Sequence, residues 1–291
     1  MAGMLLLIFI TLACGSGMPT QQVGTVSTIV ASTIQALTAA APLATQSLAT
    51  QPGATQAAPA PKGKMVVFGN TSFTVPEGLG SGAKQEFTTE VELPYTNPSF
   101  GEMPSHYKYV IQDYQPAQGN LTPMILVFNA DEFAAYSDLT KGMIAALRSS
   151  NGQSQTLPDG ILSISSFKGG VKPLRLQDGY GWGCLTQIIE AQVPINNADL
   201  FFYFQGMTDD GKYYISAILP VNASFLAAGS NPTAPVPADG IPFPDTGTLD
   251  GTSYNNYLQS MANKLNAAAP DAFQPPLAQL DALIQSIGIT K

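Results

Sequence analysis

The chain has 291 residues, only 11% of them charged, and 20 acidic against 12 basic side chains leave a net charge of −8. That balance argues against nucleic acid or an anionic lipid surface as a partner, because both are held by basic patches. A single histidine and two cysteines exclude a multi-histidine metal site, and neither a metal nor another cofactor is implied.

Met4–Leu12 (MLLLIFITL) is an apolar run of about nine residues, far short of the roughly twenty that span a bilayer. It leads into Ala13-Cys14-Gly15, and a small residue before a cysteine at the end of such a run resembles a bacterial lipoprotein signal peptide. The resemblance implies a signal peptide over residues 1–14, lipidation of Cys14 and an extracytoplasmic chain anchored to the cell membrane. Thr11 and Leu12 depart from the usual Leu-then-small pattern, and no Lys or Arg precedes the run; a plain secretory signal is the alternative.

From Gly15 to Pro61 there is no Asp, Glu, Lys or Arg, only a mixture dominated by Thr, Ala, Gln, Ser, Val and Pro. Such a segment holds too little large apolar surface to offset the entropy of ordering it, so residues 15–63 are expected to be a flexible tether. Within it Val26, Ile29, Val30, Ile34, Leu37 and Ala41 fall at helical spacing. Residues 64–291 are then one globular domain.

Lys64–Phe68 and Ser72–Val75 read as strands about a Gly69-Asn70 turn, with a bend over Gly78–Ala83. Glu86–Leu93, His106–Gln112 and Leu121–Phe128 are further strands. Asn129 caps a predicted helix with Glu132 three residues on, and its stripe is Phe133, Tyr136, Thr140, Met143, Ile144 and Leu147, ending at Asn151-Gly152. Ile161–Phe167 is another strand. Residues 229–251 carry a succession of Pro and Gly and read as a long surface loop, of the kind that is usually functional or disordered. Two terminal helices follow. Ser253–Ala268 has Tyr254, Leu258, Met261 and Leu265 on one face; Pro276–Ile287 has Leu277, Leu280, Leu283, Ile284 and Ile287, with Asp271 as its expected cap.

The stretch from Leu174 to Pro220 contains the clearest strands. Trp182–Ile189 alternates, with Trp182, Cys184, Thr186 and Ile188 on one face, and the preceding Gly179–Gly183 reads as a bend, since no helix follows to make a phosphate loop of it. Leu200–Gln205 and Tyr213–Leu219 form a hairpin. A two-residue turn at Asp210-Gly211 sets residues whose numbers sum to 421 opposite one another, so Phe204 faces Ala217 and Phe202 faces Leu219 on a core side. The other side mixes Tyr203, Gln205, Tyr214 and Ser216 with apolar groups. Tyrosines join a large apolar body to a hydroxyl, so these four are the candidate ligand-binding residues, with a covering terminal helix as the alternative.

Strands in runs with helices mid-chain and at the end indicate an α+β fold, a mainly antiparallel sheet covered on one face by helices. The F-x-V-P-E-G run at Phe73–Gly78, the helix after the early strands and the closing L-x-x-L-D-A-L-I-Q-S-I at Leu277–Ile287 are similar to the Mog1/PsbP-like α/β/α sandwich, over about a quarter of the domain. That resemblance implies the sandwich as an alternative fold. His106 is expected to be a surface or partly satisfied imidazole, Cys184 a buried structural thiol, and Asp209-Asp210 a turn rather than a calcium loop. Asn70, Asn120 and Asn222 begin glycosylation sequons, which fit surface turns. The expected function is a lipid-anchored binding or interaction module for an unidentified protein, glycan or small-molecule ligand. A secreted hydrolase using Cys184, with His106, or a carboxylate is the alternative, and no catalytic set is assigned.

Overall fold

A computed structural model describes residues 62–89, 103–115, 119–150 and 167–290, all within the unit Ala58–Lys291. The expected signal peptide, Cys14, the tether as far as residue 61, residues 90–93 of the third expected strand, and Ile161–Phe167 except its last residue lie outside them, while Gly63, expected to end the tether, opens the first strand.

The centre is a seven-stranded antiparallel sheet. Its strands are β3 (Gly82–Thr88), β4 (His106–Gln112), β5 (Met124–Asn129), β6 (Gly169–Arg175), β7 (Gly179–Thr186), β8 (Phe201–Thr208) and β9 (Tyr213–Pro220). They stand in the order β3-β4-β5-β9-β8-β7-β6. Before them come β1 (Gly63–Phe68) and β2 (Thr71–Pro76), a hairpin about Gly69, whose φ of +60° a glycine adopts without strain. Two helices follow β5, α1 (Ala130–Tyr136) and α2 (Asp138–Ser150). After β9 come β10 (Asn222–Ala223), α3 (Gly251–Ala267), β11 (Phe273–Gln274), α4 (Leu277–Gln285) and β12 (Gly288–Ile289). β12 joins β1 and β2 in a second sheet, in the order β1-β2-β12, and β10 pairs with β11.

The α+β class holds, but helices cover both faces of the large sheet, not one. Side chains alternate along strands, so each face is a fixed set of residues. On one face Phe202, Phe204, Ile215, Ala217 and Leu219 form a core with Leu258, Met261 and Leu265 of α3, Leu280, Leu283 and Ile284 of α4, and Phe73 and Val75 of β2. On the other, Trp182, Cys184, Tyr203, Tyr214 and Phe128 form a separate core with Phe133 of α1 and Met143, Ile144 and Leu147 of α2.

The hairpin register is the expected one, with Phe204 opposite Ala217 and Phe202 opposite Leu219. The turn differs. Only Gly211 takes a positive φ (+70°); its N–H donates to Thr208 O at 2.8 Å, and the loop spans residues 209–212. Asp210 Oδ1 accepts from Thr208 Oγ1 (2.7 Å) and from Lys212 N (3.2 Å), so its carboxylate holds the turn together.

Four further expectations are corrected. Gly179–Gly183 is not a bend but the body of β7, and β3 starts at Gly82, within the expected bend. The glycines of β7 face the first core, where the Phe204 ring tip stands 2.5 Å from any Cβ on Gly181 and 2.6 Å from one on Gly206. The Phe202 ring tip occupies the same place above Gly183. The alternation of Gly with Tyr180, Trp182 and Cys184 thus lets two phenylalanines lie flat across the strand while the large residues fill the opposite face.

The mid-chain helix is broken in two. Asn129 caps α1 as expected, its Oδ1 accepting from Asp131 N and Glu132 N at 3.0 and 3.1 Å. Ser137 then adopts an extended conformation (φ −159°, ψ 164°), and a reciprocal box starts α2: Ser137 N donates to Thr140 Oγ1 at 3.0 Å and Thr140 N to Ser137 Oγ at 3.2 Å. Asp271 does not cap α4; it sits in the 3-10 turn Pro270–Ala272, and Pro276 precedes the helix without a side-chain cap.

Candidate functional site

The strand pairing brings the four candidate residues together. Gln205 lies directly across from Ser216, and the hydroxyls of Tyr203 and Tyr214 meet over that pair at 3.3 Å. Tyr203 OH also stands 3.5 Å from Gln205 Oε1. All four are inside, with Tyr203 4%, Ser216 1%, and Gln205 and Tyr214 0% exposed. They do not border an open cleft, which corrects the expectation of a ligand surface there. What covers the face is α1 together with α2, not a terminal helix. His106, Phe128 and Tyr214 are cross-strand neighbours in one row. The Phe133 ring lies 4.7 Å from Phe128 and stacks on Tyr214 at 5.0 Å, so a single residue of α1 closes this row.

His106 is buried rather than on the surface. Its Nδ1 donates to Pro104 O at 2.9 Å and the ring lies 4.8 Å from Phe128. With Nδ1 carrying the proton, Nε2 presents a bare lone pair, and among the described residues it has no hydrogen-bond partner. Burial pushes the imidazole pKa below its ordinary value; nearby Lys108 pushes it the same way. Cys184 is buried beside Trp182, and burial pushes its thiol up to about 12, so almost none of it is thiolate at neutral pH. These two residues cannot act as a pair. Cys184 is on β7 and His106 on β4, and with β5, β9 and β8 between them the separation is roughly 19 Å at the ordinary strand spacing.

The one long loop that the sequence singles out is well placed against the body. Residues 229–249 contain no buried residue, yet Ile241, Phe243 and Leu249 pack on the first core. Phe243 meets Tyr257 edge-on at 5.1 Å and Tyr254 at 6.1 Å. Beneath it Val236, Ile241 and Phe243 face Phe225, Tyr257 and Met261 across a pocket that leaves room for about one water. The tyrosines are fixed from behind: Tyr254 OH donates to Val193 O at 3.1 Å, and Tyr257 OH accepts from Ile195 N at 2.9 Å. Sequence reasoning found Tyr254 and Met261 as a core stripe and missed Tyr257, which stands three residues after the first and four before the second and so belongs to the same buried stripe.

Among the described residues no cluster of His, Cys, Asp and Glu is grouped to hold a metal ion. No protein-family model, curated protein or solved structure matches this chain.

Proposed function

We propose that the chain is a lipid-anchored extracytoplasmic protein whose α+β domain is a binding or interaction module. The observation that carries this reading is the division of the sequence: an apolar run ending in Ala13-Cys14, a charge-free stretch to Pro61, and a domain that holds every acidic residue. Lipidation at Cys14 would hold the molecule at the membrane, and residues 15–63 would give the domain reach from it. The burial of Cys184 and His106 is consistent with a domain that uses its surface, since neither side chain is available to a substrate in solution.

Detergent partition and mass spectrometry of the mature N-terminus test the anchor. The lipidated chain enters the detergent phase with its N-terminus blocked at Cys14, and Cys14→Ala leaves it uncleaved or releases it. A free N-terminus elsewhere rejects the reading. A hydrolase screen with Cys184→Ser and His106→Ala controls tests the module: activity abolished by either substitution would overturn it.

A further inference from the structure

The loop of residues 229–249 differs from the rest of the domain in how it is held. Its backbone and side-chain hydrogen bonds are local: Ala234 N to Asn231 O (3.1 Å), Thr233 N to Asn231 Oδ1 (3.0 Å), Gly240 N to Pro237 O (2.7 Å) and Gly247 N to Asp245 Oδ1 (2.9 Å). Among the described residues no hydrogen bond or ion pair ties it to a strand or helix of the body. Its two ends, by contrast, are pinned. Asn197 N donates to Ala227 O at 2.9 Å on one side, and on the other Asp250 caps α3 through Ser253 N at 2.7 Å. A segment with fixed ends, internal hydrogen bonds and only apolar contacts to what lies beneath can rise without leaving a polar group stranded. Local opening is cheapest in such segments.

What it covers is already shaped. Tyr254 and Tyr257 lie nearly parallel, 6.3 Å apart at 22°, with both hydroxyls engaged away from the loop, and Phe225 and Met261 complete the floor. These walls owe no hydrogen bond to the loop, so the groove is pre-organised for an occupant. The present occupant indicates the chemistry. Pro232, Pro235, Pro237, Pro242 and Pro244 deprive the segment of five N–H donors, and between its turns it sets an aromatic plug, Phe243, against an aromatic floor. Proline-rich peptides are taken up by aromatic-lined grooves in this manner, because their extended form costs little further entropy to fix.

We infer that residues 229–249 are a strap filling a recognition groove in cis, and that the groove accepts an extended proline-rich peptide of a partner when the strap lifts. The inference rests on reading the domain as a binding module and names its ligand class. The strap competes with the ligand, so apparent affinity is reduced by the fraction of molecules in which it is down.

The test uses the full chain in detergent micelles and a fluorescent synthetic peptide with the sequence of residues 231–244. Phe243→Ala, which removes the plug, is expected to bind the peptide about tenfold more tightly than the unaltered protein. A second variant, with residues 231–244 replaced by a Gly/Ser linker of equal length, is expected to do the same, and buried Trp182 reports whether either has lost its fold. Hydrogen exchange then locates the peptide: amides of residues 254–261 gain protection on binding. Equal affinity for the altered and unaltered proteins, protection confined to other elements, or preference for a fatty acid over the peptide would each overturn the inference. Detergent partition is read separately, so loss of the peptide result leaves the anchor standing and loss of the anchor leaves the groove.

Discussion

On one face of the large sheet, Phe202, Phe204, Ile215, Ala217 and Leu219 meet α3, α4 and the small sheet through apolar contact. On the other, Tyr203, Gln205, Tyr214, Ser216 and His106 are buried among Phe128, Trp182 and Phe133. The same hairpin serves both, one strand residue in two going each way. The first face gains stability from area removed from water and from ring tips seated over glycines, which tolerates no change of volume. The second adds polar atoms that must find each other, so its contribution depends on a few hydrogen bonds and on protonation as well as on packing.

The largest separation between the faces is expected from Phe204→Ala. Removing a fully buried ring that lies over Gly181 and Gly206 should cost about 4 kcal/mol in denaturant unfolding. A loss under about 2 kcal/mol would mean that the glycine seat collapses around the cavity and is not the rigid element of this core. Gly181→Ala should come next, at about 2 kcal/mol, because the new methyl meets the ring tip of Phe204, the carbonyl of Gln205 and the Cα of Gly206. Combining the two should cost less than their sum, since the ring is one of the three obstacles. Full additivity would show that the neighbouring backbone alone sets the cost.

The hydroxyl pair sharpens the other side of the comparison. Tyr203→Phe and Tyr214→Phe are each expected to cost on the order of 1 kcal/mol, with the double substitution falling short of the sum because each hydroxyl is a neighbour of the other. Two substitutions without effect would mean that the polar atoms of this face are dispensable and that packing by Phe133 alone holds α1 in place.

How far the sequence reveals all this follows from the same contrast. Strand periodicity separates the two sets of residues on β8 and β9, and the Asp-Gly signal gives their register, although Asp210 supports the turn with its carboxylate and not with a positive φ. Periodicity does not say what lies over a face. Tyr203, Gln205, Tyr214 and Ser216 read as a wet surface because two tyrosines, a glutamine and a serine seldom share a core. Helices α1 and α2, from an earlier part of the chain, pack on this face and help to make them interior. The β7 glycines were illegible for a related reason, since their purpose is the shape of rings on the neighbouring strand. β6 was missed because Gly169, Gly170, Lys172 and Pro173 carry no strand propensity, and pairing with β7 supplies what the local sequence lacks. Ser137 is the reverse case, a local capping pair with Thr140 that overrides an otherwise continuous helical stripe.

The smallest expected effect is the one that pH brings out, and it belongs to the mixed face alone. Burial holds the folded pKa of His106 below that of an exposed imidazole, about 6.5; the hydrogen bond to Pro104 opposes this, Lys108 adds to the depression, and Glu86 opposes it. The unfolded chain therefore takes up a proton at a pH where the folded one does not. Stability is full above about pH 6.5 and falls as the pH is lowered from there towards the folded pKa. Asp178 and Glu86 do not confuse this window. Burial raises the Asp178 pKa, giving the opposite slope, and the pairing with Lys108 lowers that of Glu86, but both groups are present in the parent and in His106→Phe, so their contributions are common to the two proteins being compared. His106→Phe keeps a ring beside Phe128 and removes the titration, so the difference in unfolding free energy between the two proteins should be constant above about pH 6.5 and shift in favour of the phenylalanine as the pH falls below it. Hydrogen exchange should place the loosening in α1, whose Phe133 rests on the Phe128 ring against which His106 lies. Parallel stability curves for the two proteins, or a difference that moves towards the histidine in acid, would show that Nε2 finds an acceptor once protonated and that the mixed face is as indifferent to pH as the apolar one.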